Sequence, residues 1–317
     1  MKKTIKKRAF VSAIAMLIVS AIVLTSSTFA WFSMSKEAEV QSMDLTVSSP
    51  EGIQISANAS AWTASLTVDE IFDNDDATTS RYDAYEGNNN LYPADLIPVS
   101  SSFGGADSAT GYARFFKAAL DDAGMARINA VTQSKDSQDA AGLIVFDLFF
   151  KVAEAQTVKF GASTFTDNSN SKILSALRVA FSPLGTVAIG ATPDEATALN
   201  SFVANNNVVY EVDSINRSDD ATALGIAAGA LDTKALVGNN NGNPLSTVNG
   251  VITNAANTGA VSGIKVVDTA DASAKVFNLK AGITKMRVYI WVEGQDVDCL
   301  NSVAGAALTA NLKFTID

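Results

Sequence analysis

Histidine is missing from all 317 residues, and there is a single cysteine, Cys299. The first absence removes His-ligated metal centres and every Ser-His or Cys-His dyad; the second removes any intramolecular disulfide. Positive charge is also scarce. Residues 1–30 carry five Lys/Arg and no acid, which leaves 18 basic against 33 acidic residues in the remainder, net −15. A surface of that sign repels nucleic acid and anionic lipid, so no nucleic-acid partner is expected. What the chain does have is apolar residues. At 47% hydrophobic it can fill a core, and its length suits one large domain or two ordinary ones.

The basic residues concentrate at the start. Met1-Lys-Lys-Thr-Ile-Lys-Lys-Arg8 precedes an uncharged run over 9–24, and Thr25-Ser-Ser-Thr-Phe-Ala30 comes next. A basic start, an apolar middle and small residues at Thr28 and Ala30 make the pattern of a secretory signal peptide. The charge-free run continues through Trp31 and Phe32 to Ser35, which also suits an uncleaved anchor with its basic end inside. Cys299 is far from the leader, which excludes lipoprotein attachment. Lys313-Phe-Thr-Ile-Asp317 carries no apolar tail followed by basic residues, which argues against covalent sorting to a cell wall. The expectation is a secreted protein, extracellular or at the cell surface, that meets the membrane only through its leader.

Strand signals dominate the chain beyond the leader. Met286, Val288, Ile290 and Val292 alternate with Arg287, Tyr289, Trp291 and Glu293, the period of a half-buried strand. Leu308, Ala310, Leu312, Phe314 and Ile316 alternate in the same way with Ala307, Thr309, Asn311, Lys313 and Thr315. The segment 294–305 between them is too long for a tight hairpin and reads as a crossing between two sheets or a broad loop. Residues 142–151 are apolar on both faces and are expected at the centre, joined by 158–162 and 176–182, with further strands at 208–212 and 276–279. Near the start, Met43, Leu45 and Val47 begin a strand, Pro50 and Gly52 turn it, and Ile53-Gln-Ile-Ser56 is expected to return as its partner. Trp62, Ala64, Leu66 and Val68 then share one face of another strand.

Between the strands lie turn-rich and helical stretches. Residues 69–90, with Asp73-Asn-Asp-Asp76 and Gly87-Asn-Asn-Asn90, read as a solvated loop lacking the glycine and distal Glu of an EF-hand. Pro93 and Pro98 make 91–98 an edge strand or packed loop. Residues 114–124 suit a helical turn ending at Gly124, because Phe115, Ala118 and Ala119 share a helical face; a strand over 114–117 is the alternative. Thr192-Pro-Asp-Glu195 is a capping box with proline at the first position, and Ala196, Leu199, Phe202 and Val203 carry that helix to Asn205. Residues 219–263 read as Ala/Gly/Asn-rich loops with a small helix near 221–230. Together these predict a mostly-β sandwich with short peripheral helices and long loops. The expected organisation is a signal peptide over 1–30, an N-terminal strand segment over 31–48 and a sandwich domain over 49–317 with a loop-rich insertion at 219–263.

Two stretches carry a family likeness. Thr28-Phe-Ala-Trp-Phe-Ser33, with its polar lead into Met43-Asp-Leu-Thr-Val47, resembles the leader junction of the TasA/camelysin group of Gram-positive secreted proteins. Trp291-Val-Glu-Gly-Gln-Asp-Val-Asp-Cys-Leu-Asn301 is similar to the ending of surface proteins with that kind of leader. The resemblance implies a jelly-roll-like sandwich, secretion through a dedicated signal peptidase and assembly into extracellular matrix (biofilm) fibres by strand exchange. It brings no catalytic residues.

Two places could carry function. Glu293, Asp296, Asp298 and Asn301 offer hard oxygen ligands for Ca²⁺, against the plainer reading of carboxylates that accept backbone N–H bonds in a polar turn. The same carboxylates would serve a glycan-acting hydrolase only beside a sugar-binding cleft, and the three Trp and six Tyr do not cluster to line one. Cys299 reads as a small buried residue, and Asn58-Ala-Ser60 and Asn216-Arg-Ser218 are glycan acceptors only in a host that glycosylates. The second place is 31–40, where Trp31, Phe32, Met34 and Val40 sit among polar residues with no Gly or Pro to prevent pairing. The sequence therefore favours a non-enzymatic structural protein without a cofactor, polymerising with itself by donor-strand exchange. A non-polymerising adhesin is the alternative, and a secreted hydrolase the third.

Overall fold

The computed structural model describes residues 41–49, 52–72, 96–106, 113–120, 126–131, 142–159, 164–167, 173–201, 208–212, 246–248, 251–254, 265–268, 275–293, 299 and 307–316. They form a mostly-β sandwich with only short helices, as the alternation predicted. Its centre is a six-stranded sheet in the order β14 (Lys265–Asp268), β11 (Val208–Glu211), β10 (Leu177–Val187), β16 (Gly282–Val292), β7 (Ile144–Val152) and β2 (Ile53–Ser56). A four-stranded sheet runs β3 (Ser65–Thr67), β1 (Gln41–Ser48), β17 (Ala307–Lys313), β9 (Thr164–Asp167). A three-stranded sheet joins β15 (Lys275–Leu279), β8 (Gln156–Lys159) and β18 (Thr315–Ile316). A five-stranded sheet joins β12 (Ser246–Val248), β13 (Val251–Asn254), β6 (Ala126–Val131), β5 (Ala113–Leu120) and β4 (Ser100–Ala106).

The two faces of the six-stranded sheet differ. On one, Ile55 and Phe150, Phe146 and Val288, and Phe181 and Val288 stand opposite one another in register. Phe150 and Phe181 meet Phe277 of β15 and Phe314 edge-on or tilted, with ring centres 5.1–5.7 Å apart, so this face is buried against the smaller sheets. The opposite face is buried too. Phe115 of β5 packs on Tyr289 at 5.7 Å and Trp291 at 5.2 Å, and Ala59, Ala196, Phe149 and Ile283 form a second apolar cluster. Every residue of β16 is consequently buried, where period-two patterning predicted a half-buried strand.

The crossing expected between the last two long strands is present: β16 belongs to the six-stranded sheet and β17 to the four-stranded one. Alternation in β17 is as predicted, Leu308, Ala310 and Leu312 buried and Asn311 and Lys313 exposed. The run breaks at Phe314, whose N–H bonds to the Ser48 carbonyl at 2.9 Å, and the chain then enters the three-stranded sheet as β18. Gly52 occupies the left-handed region at φ +93°, the conformation a turn glycine supplies. The turn does not fold β2 back onto β1, however. It carries the chain into the other sheet, where β2 pairs with β7 and β1 pairs with β17 and β3.

Other expectations are corrected. Residues 113–120 are a strand and not a helical turn, because β5 finds antiparallel partners on both sides in β4 and β6. The strand expected over 62–68 shrinks to β3, and Val68–Phe72 is a helix capped by Thr67 and Glu70: Glu70 Oε2 accepts from the Thr67 N–H at 2.9 Å. The predicted capping box at Thr192 and Glu195 is present, but its helix covers only Pro193–Thr197. Beyond it the Ser201 N–H bonds to the Leu184 carbonyl, so the backbone returns to β10 in place of a further turn. Within the stretch 219–263, expected as loops with a small helix, the described residues are the β12/β13 pair. The leader, 31–40, most of 69–90, and 221–230 lie outside the described residues. Leu96 to Pro98 form a packed segment with no strand, Ile97 donating to the Gly142 carbonyl.

Candidate functional site

The buried charges on the covered face of the six-stranded sheet are the densest polar chemistry among the described residues. Antiparallel register sets Asp147 of β7 directly opposite Arg287 of β16, and Arg287 opposite Ser182 of β10. Arg287 grips the carboxylate with both arms of its fork, Nε to Oδ1 at 2.7 Å and Nη2 to Oδ2 at 3.0 Å, the geometry of a strong charge-assisted pair. Lys285, one pleat along on the same face, brings Nζ to 3.2 Å from Asp147 Oδ2 and to 2.7 Å from the Thr197 carbonyl. The helix Pro193–Thr197 presents that carbonyl, and Asn200 just beyond it accepts from Arg287 Nη1 at 3.5 Å. Lys285 also lies 5.9 Å above the Phe149 ring. All three charged side chains are within a few per cent of complete burial.

Burial is the main force on Lys285 and pushes its ammonium below its ordinary value; Asp147 pulls it back up and Arg287 adds to the depression. Ser182 beside them is wholly buried, and its hydroxyl has no hydrogen-bond partner among the described residues. The period-two pattern placed Arg287 on a solvent face and missed this cluster. The usable signal was Tyr289 and Trp291 on the same alternate positions, two large aromatics that need cover.

Of the four residues read as Ca²⁺ ligands, only Glu293 lies among the described residues; Asp296, Asp298 and Asn301 fall outside them. Glu293 is fully buried at the end of β16, its Oε2 accepting from the Trp291 indole N–H at 3.1 Å and its backbone N–H donating to Ala176. Among the described residues no three acidic or cysteine side chains converge as metal ligands. Cys299 is buried, as a small apolar residue would be. Asn58 is buried too, its Oδ1 accepting from the Ser60 and Ala61 N–H groups, so the folded chain offers no glycan acceptor there; Asn216 is outside the described residues. Trp31, Phe32, Met34 and Val40, read as assembly residues, also lie outside.

What is described is the strand that 31–40 leads into. β1 lies inside the four-stranded sheet, parallel to β17 from Gln41 opposite Ala307 to Ser48 opposite Lys313. Between Gln41 and Met43 the register slips, two steps on β1 against one on β17, which is a β-bulge. Downstream of it Leu45 and Val47 face the core. The outer strands of this sheet are β3 and β9, three and four residues long and partly exposed. No described helix is long and apolar enough to cross a membrane. No family model, curated protein or solved structure matches the chain.

Proposed function

We propose that the protein is a secreted, non-enzymatic structural subunit that polymerises with itself at the cell surface, residues 31–40 of one copy adding a strand to a sheet edge of the next. The bulge at Gln41 and Met43 carries this reading. Downstream of the slip the odd-numbered Leu45 and Val47 face the core, and one extra residue on β1 reverses the phase, so a strand continued upstream would turn even-numbered residues inward. Those are Phe32, Met34, Lys36, Ala38 and Val40, against Trp31, Ser33, Ser35, Glu37 and Glu39 on the other side. The apolar phase changes from even to odd where the extra residue is inserted. Without the bulge Phe32, Met34 and Val40 would face water.

Such an extension has a length and a destination. Ten residues at about 3.3 Å each reach roughly 33 Å beyond the first paired residue of β17. The short outer strands β3 and β9 mark the two edges of the four-stranded sheet, and a sheet edge is where an incoming strand adds. Head-to-tail donation does not close on itself and so propagates as a filament. Removal of the leader frees the segment and acts as the switch.

Deleting residues 31–40 leaves β1 whole. Light scattering on this chain should report a monomer, and circular dichroism an intact β fold, while the chain beginning at Trp31 scatters as polymer. A truncated chain that still polymerises would remove strand donation and leave the adhesin reading.

A further inference from the structure

We propose that Lys285 and Asp147 join as an intramolecular amide between β16 and β7. The pair has what a direct condensation requires: an amine and a carboxyl held at 3.2 Å, on neighbouring strands of a rigid sheet and out of water. Lys285 Nζ is oriented by the Thr197 carbonyl at 2.7 Å, so its side chain cannot swing away. Asp147 is fixed by the two bonds from Arg287.

The step balances within the site. Burial, the main force on Lys285, favours its neutral amine, and one ammonium proton passes across the 3.2 Å contact to Asp147 Oδ2. Nζ then attacks Cγ. Arg287 Nε donates to Oδ1, where negative charge develops in the tetrahedral intermediate, which is the place for a preorganised cation. The C–Oδ2 bond breaks, Oδ2 takes the second proton from nitrogen, and one water leaves. No oxidant, metal or external nucleophile takes part. In the product the amide oxygen keeps the Arg287 Nε bond and the amide nitrogen keeps a proton to donate to Thr197.

The gain for the molecule lies in its composition. With one cysteine the chain has no disulfide available to it, and an amide linking residues 147 and 285 closes a long loop in the unfolded chain as a disulfide would. The proposal does not depend on how copies assemble.

Intact-mass measurement of the full chain in denaturant decides it. The expected mass is lower than the sequence mass by one water, and trypsin, which needs a free lysine, leaves Lys285 uncut in a branched peptide containing Asp147. A chain of full mass whose Lys285 is cut overturns the proposal. Lys285→Met should restore the full mass, a readout that holds whether or not this variant folds, and a Lys285→Met chain still short by one water would place the loss elsewhere.

Discussion

At the scale of single residues, burial on both faces of β16 gives sharp expectations. Trp291→Ala should cost about 3–5 kcal/mol and Ile290→Ala and Leu312→Ala about 2–5 kcal/mol, the ranges for truncating buried aromatic and aliphatic side chains. Lys313→Ala, exposed on β17, should stay within about 0.5 kcal/mol. Denaturant melts of the four variants check this, and a Trp291 effect as small as that of Lys313 would mean that the second face of β16 is wet. Alternation alone makes Ile290 and Leu312 legible as core. It misassigns Trp291 and Arg287, because a polar residue inside an alternating run reads as solvent-facing whether water or a buried carboxylate awaits it. Asp147 stands in plain view within a run otherwise apolar on both faces, but its partner on another strand is a fact of register that a local pattern does not contain.

At the scale of elements, turns and caps are the most legible features and element lengths the least. Thr192 and Glu195 read correctly as a capping box, while Thr67-Val-Asp-Glu70, with the same spacing, is hidden at the end of an alternating run. The Thr192 N–H and hydroxyl bonds to the Glu195 carboxylate hold it below its ordinary value of 4.5. A group depressed in the folded state contributes stability above its unfolded value and loses it as pH falls through the folded one. The Thr192 and Glu195 amide resonances should therefore move together on acidification below about pH 4.5, and in Glu195→Ala that joint movement should vanish. Gly282 makes a second test. It opens β16 at φ +128°, and a Cβ there would run into the Val187 carbonyl, so Gly282→Ala should destabilise by about 1–3 kcal/mol for the backbone alone in thermal melts, with the clash added. The β12/β13 pair escapes the sequence reading although Asn249-Gly250, a hairpin dipeptide, separates Val248 from Val251. Its Ala/Gly/Asn-rich surroundings mask the signal. The strand at 113–120 escapes it because helical and strand spacing both fit so short a run, and only pairing on both sides decides between them.

At the scale of the whole molecule, the mostly-β class and the crossing between sheets are legible because long alternating runs leave few other ways to bury one face. Sheet membership is not. The chain passes from β1 to β2 by changing sheets, and its last strands, β17 and β18, divide between two. The same topology places β1 against β17 in parallel, an arrangement no hairpin produces, with a register shift at its start between Gln41 and Met43. Negative-stain microscopy of the purified chain beginning at Trp31 tests the assembly account most directly. The account predicts unbranched filaments with a regular subunit repeat, and fields of separate particles at every concentration would contradict it.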